Sequence, residues 1–274
     1  MDDGYLKSYH KGMPELPDVE ARRRYVDSTA LHKRIGGFEL SEPRLLEDMS
    51  PTAFSSSISG RTLEETARHG KYLFIRLDSG KHLILHFGMT GDLSYFKDES
   101  DTPPYTCLLL DFAGGYHLAY TAPRKLGRIG MTGSLQDFIE AKSLGPDALS
   151  ISGEEFAELF TRGRGAVKSV FMNQKKIAGV GNIYTDEILF QAGIHPERDK
   201  KSLNRGEIGL LYDTMREVLM TSIDRNAEVS RLPGSYLIPH RDEEDNCPRC
   251  GGPVERIVVG GRGTYLCPEC QKEP

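Results

Sequence analysis

Four cysteines crowd the end of the chain as two C-x-x-C pairs, Cys247-Pro-Arg-Cys250 and Cys267-Pro-Glu-Cys270. Each pair places two thiolates on one tight turn, and four such sulfurs close a tetrahedral structural zinc site with no open position. Two disulfides are the competing use of these residues, and nothing in the sequence points to the oxidising compartment they need. The intervening GGPVERIVVGGRGTYL reads as a hairpin with its tip at Gly260-Gly261-Arg262-Gly263. So small a segment has little core, and zinc is expected to supply much of its folding energy. Arg262 on a glycine-flanked tip could meet a phosphate with both arms of its guanidinium. It could equally be an ordinary exposed turn arginine, and the residue alone does not choose.

A second segment, IAGVGNIYTDEILFQAGIHP at 177–196, offers a different chemistry. Gly179-Val180-Gly181 allows a tight turn, Asn182 fits an N-cap, and a helix is predicted to follow. Backbone N–H groups at a helix start attract phosphate, and Lys175 and Lys176 stand just upstream. A capped helix with no ligand is the plainer alternative. Near the other end, Met13-Pro14-Glu15-Leu16 looks like the start of a protein, yet twelve residues precede it.

The elements that must position these residues fall into three parts. Residues 17–31 read as a helix, with Pro17 suited to its first position and Asp18 and Glu20 to its first turn. From about 38 to 136 come short β-rich runs: KYLFIRL, KHLILHF, TCLLLDF and YHLAYT. Asp-Ser-Gly at 78–80 and Ala-Gly-Gly at 113–115 mark turns between them. This spacing predicts an antiparallel sandwich or barrel, with Cys107 a buried strand residue. From about 137, LQDFIEAKSL, GEEFAELFT, AVKSVFMNQ, IYTDEILFQAG and GEIGLLYDTMREVLMTSIDRN carry helical periodicity. The cysteine module closes the chain.

At 274 residues, with 38% hydrophobic and 27% charged residues, the composition is that of a globular protein with a substantial core. No run approaches the ~18 apolar residues of a membrane span, and no apolar leader precedes the first helix. Cytosolic (nucleoid-associated) or nuclear residence and a monomer are expected. The net charge of −5 argues mildly against a nucleic-acid partner. Its distribution argues the other way. Residues 112–136 lack acids but hold Arg124, Lys125 and Arg128, and residues 161–185 lack acids but hold Arg162, Arg164, Lys168, Lys175 and Lys176. Solvated charge with no partner accounts for these stretches equally well.

Six motifs then occur in one order: PELPDVE near the start, HGKYL at 69–73, HFGMTG at 86–91, PRKLG at 123–127, GVGNIYTDEILFQAGIHP at 179–196, and the cysteine pairs with GRGTYLC. Together they resemble the formamidopyrimidine-DNA glycosylase and endonuclease VIII family over about 14–272. PELP or GVGN alone would be weak. The resemblance implies an α+β multidomain fold. An N-terminal catalytic antiparallel β-sandwich (13–136) precedes a helix–two-turn–helix DNA-binding domain (137–240) and a zinc finger with four cysteine ligands (241–274). It implies one structural Zn²⁺, and as partner double-stranded DNA carrying oxidised bases or abasic sites.

The same resemblance implies roles residue by residue. Pro14 matches the N-terminal proline nucleophile, whose secondary amine displaces the base and forms an iminium. Glu15 matches the proton donor acting on the deoxyribose. Lys71 matches the lysine that contacts DNA near the lesion and assists elimination, and Arg262 the finger arginine of phosphate binding and δ-elimination. Asn182 matches the asparagine that grips the backbone, and Lys168 a lysine near the lesion pocket. A flipped nucleotide leaves a gap. Met89, Arg124 and Leu126 stand where the family places the residues that fill it. Asp18 departs from the usual glutamate, Leu126 from the phenylalanine common in the 8-oxoguanine-preferring branch, and the segment before Cys247 is shorter than in that branch. Formamidopyrimidines and 8-oxoguanine are the expected lesions, with oxidised pyrimidines the alternative.

The mechanism needs a free amine at Pro14, and an internal proline is a tertiary amide. Met13 is therefore expected to be the functional start, with residues 1–12 an extension outside the mature enzyme. If the extension is retained, a non-catalytic DNA-damage binder is the alternative. A zinc-ribbon transcription or translation factor would explain the cysteines, but not PELPDVE, Lys71 or the GVGN helix.

Overall fold

A computed structural model describes residues 13–161, 163–242 and 245–272. The extension of residues 1–12, Arg162 and the acidic pair Glu243-Glu244 lie outside them. The chain divides into two compact units. One holds Pro14 and Asp18–Lys142, the other Glu15–Pro17 and the chain from Ser143 onward. Among the described residues no helix is long and apolar enough to cross a membrane.

The first unit contains α1 (Leu16–Thr29), whose first two residues belong to the other unit, then β1 (Ile35–Leu40) and α2 (Pro51–Ile58). There follow β2 (Leu63–His69), β3 (Tyr72–Leu77), β4 (His82–His86), β5 (Asp92–Phe96), β6 (Thr106–Phe112), β7 (Tyr116–Thr121), β8 (Arg128–Thr132) and α3 (Leu135–Ala141). The strands form two antiparallel sheets, ordered β1-β6-β7-β5 and β2-β3-β4-β8. Ile35, Leu108, Leu110 and Leu118 of one sheet share a single core with Leu73, Ile75, Leu83 and Leu85 of the other. Of the two architectures expected, the unit is therefore a sandwich. Val19 and Val26 of α1 and Phe54 and Ile58 of α2 complete that core.

The four apolar runs named from the sequence are β3, β4, β6 and β7. The strands that carry no such run escaped it. β1 reads IGGFEL and β2 LEETARH, and each becomes a strand because a strong neighbour pairs with it, β6 for β1 and β3 for β2. The helix α2 was also hidden, inside the β-rich region. The Ser50 hydroxyl accepts the Ala53 N–H at 3.2 Å and Pro51 opens the first turn, a cap-and-proline start. The first unit reaches Lys142 and so takes in α3. The Phe138 ring meets Tyr72 and Phe74 edge-on at 5.1 and 5.5 Å, and Lys142 pairs with Glu47 at 2.9 Å.

The second unit contains α4 (Gly153–Thr161), α5 (Val167–Met172), α6 (Asn182–Ala192), α7 (Arg205–Asp224), β9 (Glu255–Val259) and β10 (Arg262–Leu266). Reciprocal caps start two of these helices: Ser152 with Glu155 at α4 and Asn204 with Glu207 at α7. Gly193, left-handed at φ 67°, ends α6. Their apolar faces, among them Phe156, Phe171, Ile188, Met215 and Leu219, form a second core that also takes Leu16.

Glycine geometry fixes two loops of the first unit against each other. A Cβ on Gly88, which sits at φ 59°, would lie 2.5 Å from the backbone of Leu126. A Cβ on Gly127 would fall 1.7 Å from the Tyr120 hydroxyl, which donates to the His86 carbonyl at 2.9 Å. Gly127→Ala must displace that hydroxyl and should destabilise the protein by about 1–3 kcal/mol. Thermal unfolding indistinguishable from the parent chain would contradict this packing.

Candidate active site and nucleic-acid interface

Glu15 is buried, and its carboxylate sits on the amino end of α6. Oε2 accepts the N–H groups of Gly181 at 2.6 Å and Tyr184 at 3.3 Å, and Oε1 accepts that of Ile183 at 2.8 Å. The first turn of a helix has unsatisfied donors and the positive end of its dipole. An acidic side chain from the far end of the sequence satisfies both here. The glycines of GVGN make the approach possible. The Leu16 N–H donates to the Gly179 carbonyl at 3.0 Å, and a Cβ on Gly179, at φ 111°, would lie 2.6 Å from the Leu16 side chain. The Gln174 amide braces the same turn, accepting from Gly179 N–H at 3.0 Å and donating to the Val180 carbonyl at 2.6 Å.

Asn182 is the first helical residue of α6 and Gly181 is its N-cap, so the cap expected at Asn182 falls one residue earlier. The reason is that the Glu15 carboxylate takes the N–H groups a capping side chain would have taken. Asn182 is free to reach outward, and its Nδ2 donates to the Gly263 carbonyl at 2.8 Å. Its Oδ1 is buried and has no hydrogen-bond partner among the described residues.

Gly263 follows Arg262, and the hairpin turns at Gly260-Gly261, both with positive φ. Arg262 is thus not in the tip. It is the first residue of β10, paired with Val259 and exposed. Pairing gives its backbone a fixed strand conformation that a tip residue would lack. Two further bonds tie β10 to α6. Asp186, one turn along α6 from Asn182, accepts the Tyr265 N–H at 3.1 Å. Lys168 of α5 donates to Asp186 at 2.6 Å and to the Thr264 hydroxyl at 2.6 Å.

Lys168, expected near a lesion pocket, is therefore inside the second unit, 1% exposed, with its ammonium engaged by these internal groups. Arg241 adds a second cation, 2.9 Å from Asp186. Burial pushes the Lys168 ammonium pKa down and the Asp186 carboxyl pKa up, while their mutual attraction opposes both shifts.

In the first unit Pro14 is buried and leads directly into Glu15. Lys71, half-buried, occupies the Gly70-Lys71 turn between β2 and β3. Next to it in the sheet, Tyr72 pairs with His86 and His86 with Arg128, so Lys71, His86 and Arg128 gather at one end of three strands. Burial first, then the charges of Lys71 and Arg128, push the His86 imidazole down to about 4. His86 Nδ1 accepts the Gly88 N–H at 3.3 Å at the base of the loop that carries Met89. His86 was missed because one histidine in an apolar run reads as core.

Met89 is half-buried and Leu126 is 45% exposed, on the two loops that Gly88 joins. Arg124 is exposed in the neighbouring turn, which Lys125 pins by pairing with Glu42 at 2.5 Å. Arg44 and Lys125 together hold the Glu42 carboxyl down to about 2.

The four cysteine sulfurs all lie within 4.8 Å of one another, with Cys247–Cys270 at 3.8 Å and Cys250–Cys267 at 3.5 Å. A tetrahedron of ~2.3 Å Zn–S bonds has edges of about 3.8 Å, so the set fits Zn²⁺. N–H groups of Arg249 and Gly252 point at Cys247 and Cys250 from 3.4 Å each, and favour thiolates. Burial and the neighbouring sulfurs push the Cys270 thiol above its ordinary value, a penalty that a dication removes. The local core is small: Phe190, Leu237, Val254 and the buried cysteines. One structural zinc holds the module.

Three family models match the chain in succession: the formamidopyrimidine-DNA glycosylase N-terminal domain over residues 13–129, its H2TH domain over 144–233, and the zinc finger found in FPG and IleRS over 246–272. The formamidopyrimidine-DNA glycosylase of Geobacter metallireducens is 38% identical, the match covering 94% of this chain and 100% of that protein. That of Herpetosiphon aurantiacus is 33% identical over the same shares. Among solved structures, Lactococcus lactis formamidopyrimidine-DNA glycosylase non-covalently bound to DNA containing an AP site superposes with a TM-score of 0.85. It is 28% identical and covers 94% of this chain and 100% of its own. A MutM complex with DNA containing carbocyclic 8-oxo-G also gives 0.85 at 28% identity, covering 95% of this chain and 100% of its own. The chain belongs to the formamidopyrimidine-DNA glycosylase family.

Two measurements check the site. Chelation should release one zinc per chain and open the Tyr265 amide to hydrogen exchange; protection unchanged after verified metal loss would refute the zinc's role. Unfolded, His86 takes a proton near its ordinary ~6.5, but in the folded chain not until about 4. Its neutral burial is therefore fully tolerated above ~6.5 and disfavours the fold progressively as pH falls toward 4. An NMR midpoint at 6 or above for this imidazole would contradict its burial beside Lys71 and Arg128.

Proposed function

We propose that this DNA-repair glycosylase excises oxidised purines, formamidopyrimidines and 8-oxoguanine, from duplex DNA and then cleaves the abasic site by β,δ-elimination. The observation that carries the reading is the seat of Glu15: the residue next to Pro14 has its carboxylate fixed by three backbone N–H groups of α6. Relatives solved with abasic-site or 8-oxo-G DNA support the substrate class.

In the proposed reaction the Pro14 nitrogen, as a free secondary amine, attacks C1′ of the damaged nucleotide. The N–C1′ bond forms, and the base leaves with its bonding pair and is protonated. The Glu15 carboxylate takes the proton that the prolyl nitrogen sheds on bonding to C1′ and passes it to the deoxyribose oxygen as the ring opens, leaving an iminium. Loss of the C2′ proton expels the 3′-phosphate, and a second elimination expels the 5′-phosphate. Lys71 and Arg128 provide cationic ground for the phosphates at one end of the sandwich. Arg262 faces the phosphate lost in the second step. Asn182 holds β10 through Gly263 and so sets where Arg262 stands. Met89, Arg124 and Leu126 occupy the gap left by the flipped nucleotide.

A secondary α-amine with a reference pKa near 8 keeps a useful neutral fraction at neutral pH. The same nitrogen inside the chain is an amide with no basic lone pair. Duplex DNA carrying 8-oxoguanine, treated with borohydride, should therefore form a covalent adduct with a chain beginning at Pro14 and none with a chain beginning at Met1. Absence of an adduct with both chains would sink the enzyme mechanism and favour a non-catalytic binder. In the Pro14 chain, Glu15→Gln should slow base excision by roughly 100-fold or more. A lesion panel separates purine from oxidised-pyrimidine specificity, for which Leu126 is the residue to watch.

A further inference from the structure

The wedge reading of Met89 raises a physical problem. The residue sits on a loop with glycine on either side, at Gly88 and Gly91, and such a loop has many backbone conformations to choose from. Gly88 packs the start of the loop against Leu126, and the other stem needs a hold of its own. Gly91 N–H closes back on the Phe87 carbonyl at 2.8 Å, which shapes the turn but does not anchor it.

Arg22 supplies the anchor. It lies on α1 with its side chain 4% exposed. Its Nη1 donates to the Asp18 carbonyl in the first turn of α1 at 2.8 Å. Its Nη2 donates to the Gly91 carbonyl at 3.4 Å. Its Nε lies 3.1 Å from Asp92 Oδ1, an ion pair rather than a well-aligned hydrogen bond. Its guanidinium carbon lies 5.0 Å from the centre of the Phe87 ring. Asp92 Oδ1 in turn accepts the Leu93 N–H at 2.9 Å, which fixes the carboxylate on β5. One planar cation thus touches both stems of the Met89 loop, Phe87 before it and Gly91-Asp92 after it, and ties them to α1.

A buried ion pair is a poor way to gain stability. An apolar side chain of similar volume against Phe87 would avoid the desolvation of both charges. What a guanidinium adds is direction, because its donors lie in a fixed fork. We propose that Arg22, paired with Asp92, is a positioning residue that sets the presentation of Met89 for filling the gap in duplex DNA. The inference rests on the wedge role of Met89 given above.

The test is a double-mutant cycle in the Pro14-initiated chain, reading single-turnover excision of 8-oxoguanine from duplex DNA. Arg22→Met should slow excision about tenfold when Met89 is present. In a Met89→Ala background the same change should cost less than about twofold, because there is no wedge left to position. Asp92→Asn, the milder change, should follow the same pattern and carries the cycle should Arg22→Met fail to fold. Cleavage of a preformed abasic site, with no base pair to break, should fall less than excision does. Equal losses in both backgrounds, as a purely structural role would give, overturn the proposal, and so does a Met89→Ala chain as fast as its parent. A parent chain that excises nothing refutes the enzyme reading instead.

Discussion

The grip of the α6 amino terminus on the Glu15 carboxylate is the contact on which the organisation of the second unit depends. The donors at a helix start are orphans by geometry and need an acceptor. Here the acceptor comes from the residue that follows Pro14, so local helix chemistry and the proposed catalytic centre are the same set of atoms. The requirement propagates into the sequence. The chain at Leu16 must pass within van der Waals contact of Gly179, and no side chain fits there. GVGN is thus less a phosphate loop than a cradle for the protein's own carboxylate.

The same helix controls the zinc module from its side. Asn182 and Asp186, four residues apart and on one face of α6, hold the backbone of β10 at Gly263 and Tyr265. Lys168 and Arg241 bring two cations to the single carboxylate of Asp186, buried where a hydrophobic cluster would cost less. The arrangement gives the strand carrying Arg262 a fixed register against α6. The zinc makes the hairpin a folded object, and the α6 contacts decide where its arginine stands.

In the first unit, steric exclusion does comparable work. Gly88 and Gly127 let two loops meet backbone to backbone, so Met89 and Leu126 are carried on loops fixed against each other. Arg22 adds the directional restraint that glycine cannot. Each device is local, and none of them is visible as a hydrophobic pattern.

What could be read from the sequence was whatever depends on neighbours along the chain. The four C-x-x-C cysteines, the apolar strands β3, β4, β6 and β7, and the periodic helices α3 to α7 declare themselves within a few residues. The family motifs placed Pro14, Glu15 and Arg262 in one inventory. Strands such as β2, with a single leucine among charged residues, exist because β3 pairs with them, and pairing partners are not written locally. Lys168 stood among other cations along the chain and was expected near a lesion pocket; its ammonium lies in the interior, because its counter-ion Asp186 and its acceptor Thr264 come from distant segments. Asn182 looked like a cap, but a carboxylate some 170 residues away took that place. The sequence by itself settled which residues are present and what the strongly patterned elements are. Only the tertiary structure decided which charges are satisfied internally and which are left to face a substrate, because that depends on distances between groups that the chain order keeps far apart.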